Sequence, residues 1–433
     1  MLSLNKFHGA PVIIFIFAGA SLSTQFGAPF YYAYPLFLIY SLLYILLQVC
    51  KCGKVKVENK KIFLLHFVLV AYVILCFLFI ELSEVDNLGL PHIWEQNSIL
   101  AYLSILLANI VVLITPMKKI ISSLNIIKYI SYYLILESFF FYVLPDSMNI
   151  FRADHEAGYR FDGFLFNSYT ITAIFLLSGY VIQFQLCKTI SRKRAVVAFI
   201  IFFAAILATK ERTSILAFLI INILIYYRTV FRYSPFLFKT KKSVFVIYSI
   251  FIFIILPFVL LTNVVQRDNP FSFKSTLARI ALNIRSLEIV KYTMPFGSGP
   301  GSQVRLMYSD TIKTDILSTS IPFINGEMAD KLMIEKEYIV TQMSRGAPMS
   351  THNTYFDHMI SLGIFGLLIV ILTFYLQIKS IFRLIFIKYN NTIFFDAFLF
   401  GSFILFMFTS LLNILWVYLL IIKSRAIFIK LNS

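Results

Sequence analysis

Four short stretches hold the residues of this chain whose types and spacing suit chemistry. His352 stands in Ser350-Thr351-His352-Asn353-Thr354-Tyr355, Arg160 in Tyr159-Arg160-Phe161-Asp162-Gly163-Phe164-Leu165-Phe166-Asn167, and Arg212 in Lys210-Glu211-Arg212-Thr213-Ser214. Arg285 is followed by the run Met294-Pro295-Phe296-Gly297-Ser298-Gly299-Pro300-Gly301. A guanidinium is a planar donor fork that fits phosphate oxygens, so several of them around one cavity would suit an anion such as a lipid-linked diphosphate. Each stretch has an ordinary explanation as well. Arginines near an outer membrane surface snorkel to headgroups, a lone histidine at a helix mouth is more often a cap, and a bare Gly-rich turn is more often only a turn.

The elements that must position these residues are membrane helices. The chain has 433 residues, 59% hydrophobic and 14% charged, with a mean hydropathy of +0.82, where a soluble domain would carry about 25% charged residues. Apolar runs of roughly 20 residues, enough to cross about 30 Å of hydrocarbon, follow one another with short polar breaks. The expected class is an all-α, polytopic transmembrane helical bundle of about twelve spans. The net charge of +17 does not point to nucleic acid, because the basic residues lie in alternate short loops rather than on one soluble face. Four cysteines, Cys50, Cys52, Cys76 and Cys187, lie mostly at run ends beside basic loops, the reducing side, so no disulfide is expected and Cys50/Cys52 are poorly spaced for zinc. With one Lys before the first apolar run and no small-residue cleavage site, the first helix is expected to be uncleaved.

Spans are expected at about 9–28, 30–49, 62–82, 98–116, 124–144, 168–187, 243–262 and 354–375, with basic loops on the cytoplasmic side. Between Arg194 and Arg228, two apolar runs, Ala195–Thr209 and Thr213–Tyr227, flank Lys210-Glu211-Arg212. Both outer ends carry cytoplasmic signals, so the pair must be a hairpin over 195–227. Fifteen residues reach only about 22 Å, which would hold the three charges below the outer surface in a cavity. Glu137, inside a span, either pairs with one of the arginines or faces a polar cavity. The tail 393–433 is expected to be a hairpin turning near Asn413, with Lys423, Arg425 and Lys430 marking a cytoplasmic end. The domain division is therefore 1–262, the first nine spans; 263–350, one large periplasmic loop; and 351–433, the C-terminal spans. Within the loop, 274–294 has a rough apolar stripe of Leu277, Ile280, Ile284 and Leu287, suited to a helix lying on the membrane surface and stopping before Pro295.

His352-Asn353-Thr354-Tyr355 with Leu362-Gly363-Ile364-Phe365-Gly366 resembles the His-Asn-x-Tyr and Gly-x-x-Gly signature of the bacterial O-antigen polymerase and ligase superfamily, membrane glycosyltransferases of the type C class. The other three stretches are similar to further pieces of that family, in the family's order. The set covers about a fifth of the chain. Two departures stand out: Glu211 where a Ser is usual, and Ser168 where a Pro commonly follows the Asn.

The resemblance implies transfer of a glycan from undecaprenyl diphosphate to a sugar hydroxyl. His352 would be the base, its imidazole pKa near about 6.5 suiting the task. Arg160, Arg212 and Arg285 would hold the diphosphate, with Asn353 and Tyr355 contacting substrate. A diphosphate needs charge stabilisation more than a general acid, so no metal and no cofactor is expected. His358 is expected to be structural, and His155 and His92 to be loop residues. The implied partners are undecaprenyl-diphosphate-linked oligosaccharides and the lipid bilayer of the inner (cytoplasmic) membrane, the active site facing the periplasm, with a chain-length regulator as a protein partner. The polymerase is favoured over the ligase. A flippase for lipid-linked sugars would have no use for the long external loop, and a scaffold would leave the buried 210–212 charges unexplained.

Overall fold

In hydrocarbon every backbone N–H and C=O must be satisfied within the protein, and the apolar runs of this chain accordingly fold as helices. The computed structural model describes residues 33–52, 60–79, 93–144, 152–153, 160–163, 166, 169–187, 192–230, 283, 285–300, 306, 353–386, 392–408 and 415–431. The spans expected at 9–28 and 243–262, most of the 263–350 loop, and His352 lie outside the described residues.

The helices are α1 Ala33–Cys52, α2 Lys60–Phe79, α3 Ile93–Ile114, α4 Met117–Val143, α5 Tyr169–Leu186, α6 Arg192–Ala208 and α7 Arg212–Val230. Residues 285–293 form α8. After it come α9 Thr354–Leu362, α10 Ile364–Phe386, α11 Ile393–Phe408 and α12 Leu415–Leu431. Among the described residues the fold is helical apart from a two-residue antiparallel pair, β1 Arg152–Ala153 with β2 Arg160–Phe161. Among the described residues, three stretches are both long and apolar enough to cross a membrane: Lys119–Val143, Tyr169–Leu186 and Ile364–Leu384. Leu64, Phe67, Leu136, Phe139, Ile200, Ile371 and Phe382 are exposed on the helix surfaces, as lipid contact requires. The protein is a membrane protein.

The helices pack closely where small residues let them. Gly179 of α5 lies against Ser131 of α4, where any side chain at the glycine would overlap the serine. Ser131 Oγ reaches both Ile127 O and Phe175 O at 2.8 Å. Gly401 of α11 sits likewise on Ile221 of α7. Small residues and hydroxyl bonds of this kind hold membrane helices together where burial of apolar surface gives no advantage over lipid.

Two expectations need correction. The span placed at about 354–375 is two helices broken at Gly363, which sits at φ +55, and the stretch long enough to cross begins at Ile364. In the tail, α11 and α12 do form an antiparallel hairpin, with ring contacts Phe406–Tyr418 at 5.0 Å near one end and Phe395–Phe428 at 5.8 Å near the other. Yet Lys423 and Arg425 are buried in the bundle rather than lying in a basic loop. Lys423 Nζ donates to Val112 O, Leu113 O and Thr115 O at 2.9, 2.7 and 2.6 Å. The carbonyls ending α3 have no intrahelical donors, and a lysine from α12 supplies one.

Candidate functional site

The strand bearing Arg160 is held from three sides. Arg160 pairs with Ala153 in the ladder, and Phe161, fully buried, packs with Phe141 of α4 and Ala208 of α6. Gly163, at φ +71, fits against Thr172 and Leu134, and Thr172 Oγ1 donates to Asp162 O. The side chain of Arg160 lies outside the described residues. The short ladder was not foreseen from the sequence, because two-residue strands leave no periodicity to detect.

The charged turn follows directly. Thr209 and Lys210 close the end of α6 through bonds to Ile206 O and Leu207 O, and Lys210 takes a left-handed conformation at φ 51. Glu211, which replaces the Ser usual in the resembling family, is buried. Its carboxylate accepts from Thr213 N at 3.4 Å at the start of α7, and from Thr170 Oγ1 at 3.4 Å at the start of α5. An acid at that position satisfies open N–H groups and suits the helix dipole. Arg212 opens α7 half-buried. The Arg160 strand and the Arg212 turn are thus brought together.

A second pair forms between the Gly-rich run and the α9–α10 break. The helical residues of α8 end at Thr293, before the cis Met294–Pro295 peptide. Gly297 N then bonds Thr293 O at 2.8 Å, Ser298 N bonds Ile360 O at 2.9 Å, Gly299 N bonds Ser361 O at 3.1 Å, and Ile364 N bonds Pro295 O at 2.8 Å. Tyr72 of α2 donates to Phe296 O. The Gly-rich run is therefore a dock for the α9–α10 break, and its amides at 297–299 are occupied by protein carbonyls. Of the apolar stripe expected on the loop helix, Leu277, Ile280 and Ile284 lie outside the described residues; Leu287 is exposed, and Ser286 and Ile289 are buried. Arg285 Nη2 donates to Leu306 O at 3.4 Å, and Nη1 lies 3.8 Å from Glu288.

Asn353 caps α9, accepting from Tyr355 N at 3.0 Å and Phe356 N at 3.4 Å, and its Nδ2 donates to Asn283 Oδ1 at 3.1 Å. Tyr355 is only 4% exposed. It donates to Gln377 Oε1 at 2.9 Å and stacks on Phe374. Gln377 in turn donates to Ser402 Oγ at 3.3 Å. A lone Gln in the apolar middle of α10 was the available signal for this contact. His358 is buried with Nδ1 3.3 Å from Tyr102 Oη. Glu137 is buried in α4. Among the described residues no group of three His, Cys, Asp or Glu side chains could hold a metal ion.

Tyr355 rests on Phe406, with ring centroids 5.8 Å apart, and Phe406 shares a small cavity with Ile174, one turn along α5 from Thr170. The N-termini of α5 and α7 are joined through Glu211, and helix N-termini favour anions. Residues 197–371 match the family model described as O-antigen ligase. That segment includes Arg212, Arg285, His352, Asn353 and Tyr355 and leaves out the Arg160 stretch. No curated protein matches the chain.

Proposed function

With residues 197–371 carrying a domain of the O-antigen polymerase and ligase superfamily, we propose that this chain is a polymerase of surface polysaccharide in the bacterial inner membrane, its site facing the periplasm. The bond between the anomeric carbon and the undecaprenyl diphosphate oxygen breaks. A glycosidic bond forms to a hydroxyl of the incoming lipid-linked repeat unit, the hydroxyl proton passes to His352, and undecaprenyl diphosphate leaves. Arg160, Arg212 and Arg285 neutralise the charge that grows on the departing diphosphate, which is why the reaction is assigned no metal. Asn353 and Tyr355 hold the start of α9, and with it His352, through Asn283 and Gln377.

The observation that supports this most is the docking of the motif stretches in two pairs, the Arg160 strand beside the Arg212 turn and the Gly-rich run on the α9–α10 break. The second reading is the ligase, which moves the finished glycan to lipid A core or to a protein, and it is favoured by the description of the matched family. Replacing His352 with Ala in the native host and resolving the surface polysaccharide on a gel separates the two. One repeat left on lipid A core without a ladder supports the polymerase, and loss of all attached glycan supports the ligase. An unchanged ladder removes His352 from the chemistry.

A further inference from the structure

In the first turn of α11, Asp396 is completely buried. It accepts from Arg425 Nε at 2.5 Å and Thr392 Oγ1 at 2.9 Å, and lies 3.5 Å from Arg383 Nε. One carboxylate thus faces two guanidiniums. Arg425 is 6% exposed, and its Nη2 is buried with no hydrogen-bond partner. A buried charged donor left without an acceptor is costly and calls for a counter-anion. The stretch around Arg425, residues 415–433, contains Lys423 and Lys430 and no Asp or Glu. Lys423, two residues from Arg425, adds another buried cation.

We propose that Lys379 and Arg383 of α10, backed by Arg425 of α12, bind the phosphate of an anionic phospholipid headgroup. Arg383 keeps 21% of its side chain exposed, and Lys379, one turn earlier, is exposed. Both sit near the end of the apolar stretch Ile364–Leu384, the depth at which headgroup phosphates lie. Ile371, Tyr375, Ile378, Phe382 and Phe386 are all exposed and follow one another at helical spacing along α10. That stripe gives acyl chains a surface running straight to the two cations, which a free phosphate would not use.

The test uses the full-length protein, delipidated in detergent and offered phosphatidylglycerol, phosphatidylcholine or inorganic phosphate, with lipid retention read by native mass spectrometry and stability by thermal unfolding. The wild type is expected to retain phosphatidylglycerol about tenfold over phosphatidylcholine, the weight of one strong charge-assisted contact. The double variant Lys379→Gln/Arg383→Gln loses that preference. Lys379→Gln alone, at an exposed position, weakens it and keeps the test readable should the double variant fold poorly. Equal retention of the two lipids overturns the proposal, as does an unchanged preference in both variants. So does stabilisation by inorganic phosphate equal to that by phosphatidylglycerol with no lipid retained.

Discussion

Asn353 combines two tasks that substitution can separate. Its Oδ1 caps α9 and its Nδ2 reaches Asn283. Asn353→Asp keeps the capping oxygen and loses the link to the loop helix. Asn353→Ala loses both, and the missing cap alone costs about 1 kcal/mol. Thermal unfolding in detergent should place the Ala variant below the Asp variant, and both should make a shorter polysaccharide ladder if the Asn283 link positions His352. Equal stability of the two would show that the cap is unimportant. Tyr355→Phe removes the donor to Gln377 Oε1 inside the bundle and should lower stability by about 1–3 kcal/mol, the cost of leaving a buried acceptor unmet.

At the level of whole elements, backbone contacts fix the geometry. Gly363 has a positive φ, and a side chain there would overlap Pro295 O and Gly297 N. Gly363→Ala should therefore separate the loop dock from the α9–α10 break and abolish polymer formation, whereas Phe296→Ala, at a residue 76% exposed, should leave the folded protein intact. Western blotting of membrane fractions alongside the polysaccharide gel checks both outcomes. Lys423→Met would strip the donor from three carbonyls at the end of α3. A drop in melting temperature is expected, and an unchanged value would mean that those carbonyls find other donors.

Across the whole molecule, the orientation carries its own prediction. Cys50 and Cys187 are free and exposed, and the positive-inside pattern puts both on the cytoplasmic side. In intact cells with a permeabilised outer membrane, a membrane-permeant maleimide should label them and an impermeant one should not. Impermeant labelling would invert the topology. The helical class and the positions of α3, α4 and α5 were legible in the sequence, because unbroken apolar length is a strong signal. So was the break between α6 and α7 at 209–211, since Lys210, Glu211 and Arg212 interrupt the apolar run. The break at Gly363 was not, because it depends on a backbone bond to Pro295, far away in sequence. Nor were the inward roles of Lys423 and Arg425, which look like loop cations until Asp396 and the end of α3 are placed beside them. The joint between 295–299 and 360–364 is made mostly from main-chain atoms, so it demands glycine at 297 and 363 and asks little of the side chains that point away from it. Outward-facing positions on its rim, such as Tyr292 and Phe296, are therefore free to change under selection without loosening it.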